Sequence, residues 1–173
     1  MKTYIVLLRG INVSGKNKLP MADLRQILSR LGFQNVQTYI QSGNIILESD
    51  LQKEVICNKI KNGIQDKFGF EVPVLIRTIP ELQITIEKYP FSIENEKIVA
   101  FSFLDQITKE TVLEIRNIGE DTYKIVDDVV YLYCKSGFGK TKLTNNIIEK
   151  KLNRIATTRN FKTTLKLLEL AKK

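Results

Sequence analysis

A chain of 173 residues can bury roughly 70% of the surface its unfolded form exposes, so it needs neither metal nor disulfide to hold a core. A hydrophobic fraction of 43% and a charged fraction of 27% exclude a disordered or fibrous class. The lack of any histidine excludes Cys-His nucleophiles, Ser-His-Asp triads and His-based metal sites, while 27 Lys and Arg against 19 Asp and Glu give a net charge of +8 that suits a polyanionic partner.

In chain order, Tyr4 to Leu8 is a short continuous apolar run, as expected of a central strand. No run approaches the ~18 apolar residues of a membrane span. Met1 leads into this strand and not into a secretory leader, which predicts a cytoplasmic protein without a membrane partner. Met21, Leu24, Ile27, Leu28 and Leu31 then recur at helical spacing, with Pro20 suited to the first turn and Gly32 to the stop. Val36–Ile40 and Ile45–Glu48 read as strands joined by a Gln41-Ser42-Gly43-Asn44 turn. Ser49 and Gln52 make a capping pair for a helix carrying Ile56, Ile60, Ile64 and Phe68, which Gly69 ends. Val72–Arg77 is a strand that Pro73 confines to an edge.

Thr78 and Glu81 cap a short linking helix closed by Pro90, and the pattern then restarts. Ile98–Phe103 is a strand, Lys109–Arg116 a short helix, and Tyr123–Val126 with Val129–Tyr133 a hairpin turning at Asp127-Asp128. Leu143, Ile147, Ile148 and Leu152 mark a helix, Ile155–Thr158 a short final strand, and Phe161, Leu165 and Leu168 a terminal helix. The expectation is an α+β protein of two ferredoxin-like βαββαβ subdomains with mostly antiparallel sheets, the second less complete, plus a C-terminal helix. The boundaries are residues 1–78 for the first half, 79–96 for the connecting helix and linker, and 97–173 for the second half. Cys57 and Cys134 sit in apolar patterns and read as buried thiols.

Polar residues gather at element ends in four segments. The first, Arg9 to Lys18, has two glycines, positive charge from Arg9, Lys16 and Lys18, and Asn12 and Asn17 beside them. It reads either as an anion-binding concavity or as a solvated loop, and it fits neither a Walker A motif nor GxGxxG. In the second, Tyr39 could stack and Gln41, Ser42 and Asn44 could pair with a base or sugar, or else satisfy their own turn. The third, Ser136 to Asn145, contains Gly139-Lys140-Thr141 but has Cys134 where a P-loop requires glycine. What remains is a helix start near Thr141 with Lys140, Lys142 and Asn145, competent for anions. In the fourth, Asn160 is a helix cap, and Arg159 with Lys162 could bind a phosphate or Arg159 could brace the fold.

Leu8-Arg9-Gly10-Ile11-Asn12-Val13, Thr38 to Asn44, Gly137 to Asn145 and Ala156 to Asn160, in that order along the chain, resemble the bacterial family called domain of unknown function 1697. Ser14 and Phe161 are mild departures, where that family often has glycine and tryptophan. The resemblance implies an α+β protein of about this length and no particular reaction, cofactor or partner.

The residues therefore suggest a binding protein for nucleic acid or a phosphate-bearing, nucleotide-like ligand. Its candidate contacts are Arg9, Asn12, Lys16, Asn17, Gln41, Ser42, Asn44, Lys140, Lys142, Asn145, Arg159 and Asn160. The alternatives are an enzyme acting on a small anionic substrate, with Asp23, Asp127 or Asp128 as base, and a structural or protein-interaction role. No metal and no cofactor are implied, and oligomeric state is left open.

Overall fold

The amino-terminal apolar run forms an inner strand of the first of two sheets in the computed structural model, which describes Met1–Lys173. The chain divides into two units, Met1–Gln83 with Leu167–Lys173, and Ile84–Lys166. No helix is long and apolar enough to cross a membrane.

The first unit contains β1 (Lys2–Leu8), α1 (Met21–Arg30), β2 (Gln34–Tyr39), β3 (Asn44–Ser49), α2 (Lys53–Phe68) and β4 (Val74–Thr78). The sheet order is β2-β3-β1-β4, antiparallel throughout. Tyr4, Val6 and Leu8 alternate onto one face with Ile45, Leu47, Val74 and Ile76, and this face packs against Leu24 and Leu28 of α1 and Ile56, Ile60 and Ile64 of α2. Pro73 directly precedes β4, which lies on an edge as its missing donor requires. Gly69 closes α2 in the left-handed region at φ 77°. The expected Ser49 cap is corrected: Ser49 Oγ accepts from Leu51 N at 3.1 Å, and Gln52 occupies the cap position of α2 with no side-chain cap.

Helix α3 (Ile79–Glu87) follows, and its predicted box is present: Thr78 N donates to Glu81 Oε2 at 2.8 Å and Glu81 N donates to Thr78 Oγ1 at 3.4 Å. The second unit contains β5 (Val99–Leu104), β6 (Thr122–Val126), β7 (Val129–Tyr133), α4 (Asn145–Leu152) and β8 (Ala156–Asn160), followed by the start of α5 (Phe161–Ala171). Its sheet order, β6-β7-β5-β8, repeats that of the first unit, again antiparallel throughout. The fold is α+β, with a ferredoxin-like strand order occurring twice.

The second unit is the less complete one because a helix is missing. Lys109–Arg116 does not form the predicted helix. Val112 is 56% exposed, Leu113 is the buried residue of the run, and Leu113 N donates to Tyr123 Oη at 2.8 Å in place of a helical carbonyl. Glu114 and Asn117 adopt positive φ, which no helix tolerates. The final strand, in contrast, is longer than expected and pairs with β5 from Ala156 to Asn160.

One face of this sheet joins Ala100, Leu104, Val130 and Leu132 to Ile148 and Leu152 of α4. The other carries an aromatic cluster in which Phe101 contacts Tyr89, Tyr131 and Phe161. Phe101, Phe103, Tyr131 and Tyr133 are all buried.

Candidate functional site

The first two polar segments meet within the first unit, and their side chains turn inward. Asn12, in the left-handed region at φ 54°, donates from Nδ2 to Leu19 O at 3.0 Å and to Gln41 O at 2.7 Å, while its Oδ1 accepts from Leu19 N at 2.8 Å. Asn17 Nδ2 donates to Gly10 O at 3.1 Å. Asn44 is fully buried, and its Nδ2 donates to Tyr39 O at 3.1 Å and to Ser42 Oγ at 2.8 Å. Gly43 is required here: φ is +83°, and a Cβ would lie 2.7 Å from Leu8 Cβ. Asn12, Asn17, Ser42 and Asn44 therefore shape interlocked turns. Lys16 and the Gln41 side chain remain exposed, and Arg9 is half-buried with its amide on Pro73 O at 3.1 Å.

The third and fourth segments meet in the second unit around a cavity of about 330 Å³. Ala100 of β5 and Thr158 and Asn160 of β8 form its floor, and Thr144 and Asn145 at the start of α4 form a wall. Thr141 and Leu143 complete it from the loop 134–144, and Phe138, 40% exposed, stands at the rim. This loop is wound by consecutive turns, with Gly137 N on Cys134 O at 2.9 Å and both Lys140 N and Thr141 N on Gly137 O. Helix α4 begins later than the expected start near Thr141. Its cap is Thr144, whose Oγ1 accepts from Ile147 N at 3.3 Å.

The loop is fastened by Asp121, which sequence reasoning missed. Its Oδ1 accepts from Ser136 N at 2.8 Å and its Oδ2 from Ser136 Oγ at 2.5 Å. Burial by itself would raise this carboxyl, but the hydrogen bonds from Ser136 and Thr141 win and hold it below the usual carboxylate range. No local pattern marks Asp121, because its partner is fifteen residues away. Ala100 was missed too; the only cue was its small size in the run Ile98 to Phe103.

The polar lining divides between spent and unspent donors. Asn145 Oδ1 accepts from Thr158 Oγ1 at 2.6 Å, Asn160 Oδ1 accepts from Thr163 N at 2.8 Å, and Thr141 Oγ1 accepts from Leu143 N at 3.1 Å. The Thr158 hydroxyl spends its proton on Asn145 and that of Thr141 on Asp121, while the Nδ2 groups of Asn145 and Asn160 and the Thr144 hydroxyl proton remain as donors. The amino-terminal end of α4 adds a partial positive charge on the same side.

Of the predicted contacts in the third and fourth segments, Lys140, Lys142 and Arg159 do not line this cavity. Lys140 and Lys142 are exposed on the same loop, 134–144, and Lys142 Nζ donates to Arg116 O at 3.1 Å. Arg159 projects from the opposite face of β8. It is 7% exposed, its Nη1 donates to Thr157 Oγ1 at 2.7 Å and Thr158 O at 3.0 Å, and burial pulls its pKa down to about 10. Arg159 is a brace in this arrangement. Of the carboxylates considered as a base, Asp127 and Asp128 form the β6–β7 turn and Asp23 lies in the first turn of α1 in the other unit.

A family model described as Protein of unknown function (DUF1697) matches residues 1–131. The solved structure of a conserved bacterial protein from Streptococcus pneumoniae is similar over 100% of this chain and 99% of its own, with a TM-score of 0.74 and 26% sequence identity. No curated protein matches the chain.

Proposed function

Since the chain belongs to the family of proteins of unknown function DUF1697, whose description names no reaction, we propose from the site itself that it binds a phosphate-bearing, nucleotide-like ligand in the second unit. The observation that carries this reading is a set of donors in the lining left for a ligand rich in acceptors, the Nδ2 groups of Asn145 and Asn160 and the Thr144 hydroxyl proton. A phosphate supplies those acceptors, and the start of α4 favours its charge. Phe138 at the rim offers a ring for a base to stack on. A volume of about 330 Å³ is at the small end of ligand sites, which begin near ~300 Å³.

The basic charge also fits a nucleic acid, yet an extended strand is the less favoured form of the ligand. The aromatic side chains that would stack on successive bases are buried in the second sheet. Catalysis is less favoured too, because the carboxylate beside the cavity, Asp121, is engaged as an acceptor. A cytoplasmic location belongs to the same proposal and agrees with two cysteines that are free thiols.

The test is calorimetric titration at low salt with inorganic phosphate, a nucleoside monophosphate and a mixed oligonucleotide. The expected result is 1:1 binding of the monophosphate, weakened by salt, with Phe138→Ala reducing its affinity more than that of inorganic phosphate. Failure of every phosphate-bearing probe to bind ends the proposal.

A further inference from the structure

Two aliphatic side chains stand exposed on the interlocked turns of the first unit. Ile40, in the β2–β3 turn, is 49% exposed and sits in the left-handed region at φ 51°. For a β-branched residue that conformation is an outlier, and glycine or asparagine would relieve it. Contact with water adds a second cost, so neither the turn nor the core accounts for isoleucine at this position. Val13 is 56% exposed on the neighbouring loop. It opens a two-residue turn, with Ser14 at φ 51° and Gly15 at φ 72°, in which Lys16 N donates to Val13 O at 2.9 Å, and Asn12 N donates to Asn17 O at 3.1 Å behind it. The two loops are tied together beside these residues: Asn12 Nδ2 donates to Gln41 O at 2.7 Å, one residue from Val13 and one from Ile40. The apolar pair is therefore held on a fixed frame before anything binds.

The charge around the pair has one sign. Residues 9–18 and 37–44 carry Arg9, Lys16 and Lys18 and no carboxylate. Lys16 and Lys18 are exposed, and Arg25 of α1 donates to Thr38 Oγ1 at 2.6 Å, two residues before Ile40. The nearest acids along the chain lie elsewhere: Asp23 in the first turn of α1, and Glu48 at the far end of β3, where it accepts from Asn35. Glu71 precedes β4, at the opposite edge of the sheet from β2. We infer that this surface docks an acidic segment of a partner protein, whose aliphatic side chains cover Val13 and Ile40 and whose carboxylates meet Lys16 and Lys18. A protein is favoured over a nucleic acid because the exposed pair offers no ring for a base, and Tyr39, the aromatic residue of these loops, is half-buried. It is favoured over a lipid surface because two side chains fall short of the apolar face that holds a peripheral protein on a bilayer. The surface belongs to the first unit, so the inference is independent of the cavity proposed above.

The experiment selects a displayed library of random short peptides on the whole protein at low salt. The selected peptides are then titrated into wild type, Ile40→Asn, Lys16→Glu and Ile107→Asn, and each protein is melted alone. Ile107 is the control, because it is 63% exposed but lies in the second unit. The result expected is a set of peptides enriched in Asp, Glu and aliphatic residues, bound about tenfold or more weakly by Ile40→Asn and within about twofold of wild type by Ile107→Asn. Ile40→Asn is expected to melt at an equal or higher temperature, since its strain is relieved, and the loss in Lys16→Glu is expected to shrink as salt is added. Selection of no peptide, or of peptides without that enrichment, overturns the inference. So do selected peptides that Ile40→Asn binds as wild type does, an equal loss in Ile107→Asn, or a loss in Ile40→Asn that comes with a lower melting temperature. A mixed oligonucleotide and vesicles of phosphatidylglycerol and phosphatidylcholine are titrated beside the peptides. Binding of either by wild type that Ile40→Asn abolishes overturns the choice of a protein partner.

Discussion

The two units build the same strand order and then treat one corner of it in opposite ways. In the first, Tyr4 is buried in the core, and its hydroxyl donates to Leu51 O at 3.0 Å in the short connection 50–52. In the second, Ala100 takes the Tyr4 position and the corresponding connection lengthens to 134–144, wound on Gly137 and fastened by Asp121. Removing one large side chain and lengthening one loop changes a packed corner into a cavity without altering the sheet. The first unit spends its polar loop groups on its own turns, whereas the second keeps donors facing open space. That difference separates scaffold from candidate site within one repeated architecture.

The largest effect expected from breaking this comparison is Tyr4→Ala, which gives the first unit the residue of the second. Loss of a buried aromatic ring costs about 3–5 kcal/mol, read by chemical denaturation. A cost under about 1 kcal/mol means that Tyr4 is not what fills the corner. Gly43→Ala comes next, at about 2–3 kcal/mol, since the new Cβ meets Leu8 at 2.7 Å in a backbone conformation that disfavours it. Ligand affinity at the second-unit cavity is expected to survive both substitutions wherever the protein remains folded.

Much of the scaffold was legible because its signals are local. Pro73 announces an edge, Gly69 a left-handed stop, and Thr78 with Glu81 a reciprocal cap, and each depends on backbone chemistry within a few residues. The helix expected at Lys109–Arg116 failed for the complementary reason. The spacing of Val112 and Ile115 is helical, but Val112 faces water and Leu113 is tied by its amide to Tyr123, a tertiary contact that no window over the run reveals. The candidate site divides in the same way. The composition of Gly137 to Asn145 was visible, as was the capping role of Asn160, while Asp121 and Ala100 acquire meaning only from a long-range bond and sheet register. Asn12 and Asn44 carry the donors and acceptors of a binding loop, and only the directions of their bonds show that they serve the turns.

Asp121→Ala tests whether the long loop is held as the comparison requires. It removes two acceptors from Ser136 and is expected to cost about 2 kcal/mol and to weaken the monophosphate complex. Acid should imitate it. The folded Asp121 carboxyl titrates below its ordinary value of 3.8, so its contribution to stability is complete above that value and is lost as the pH falls through the lower folded value. In Asp121→Ala this part of the acid destabilisation is expected to disappear. A variant whose acid unfolding superimposes on that of wild type means the loop is fastened elsewhere.

The smallest effect is expected from the residues that first suggested an anion site. Lys140 and Lys142 are exposed on the loop, and Lys142 already donates to Arg116 O, so water and salt screen what they contribute to a bound phosphate. Lys140→Ala and Lys142→Ala should each weaken the monophosphate complex by about 0.5 kcal/mol, an effect that shrinks as salt is added. Neutral donors inside the cavity are screened far less, so the difference between Asn145→Ala and wild type should persist at a salt concentration where both lysine variants match wild type. If instead the lysine substitutions abolish binding and the Asn145 substitution does not, the anion is held at the loop surface. The cavity opened by Ala100 is then a consequence of the longer connection with no part in binding.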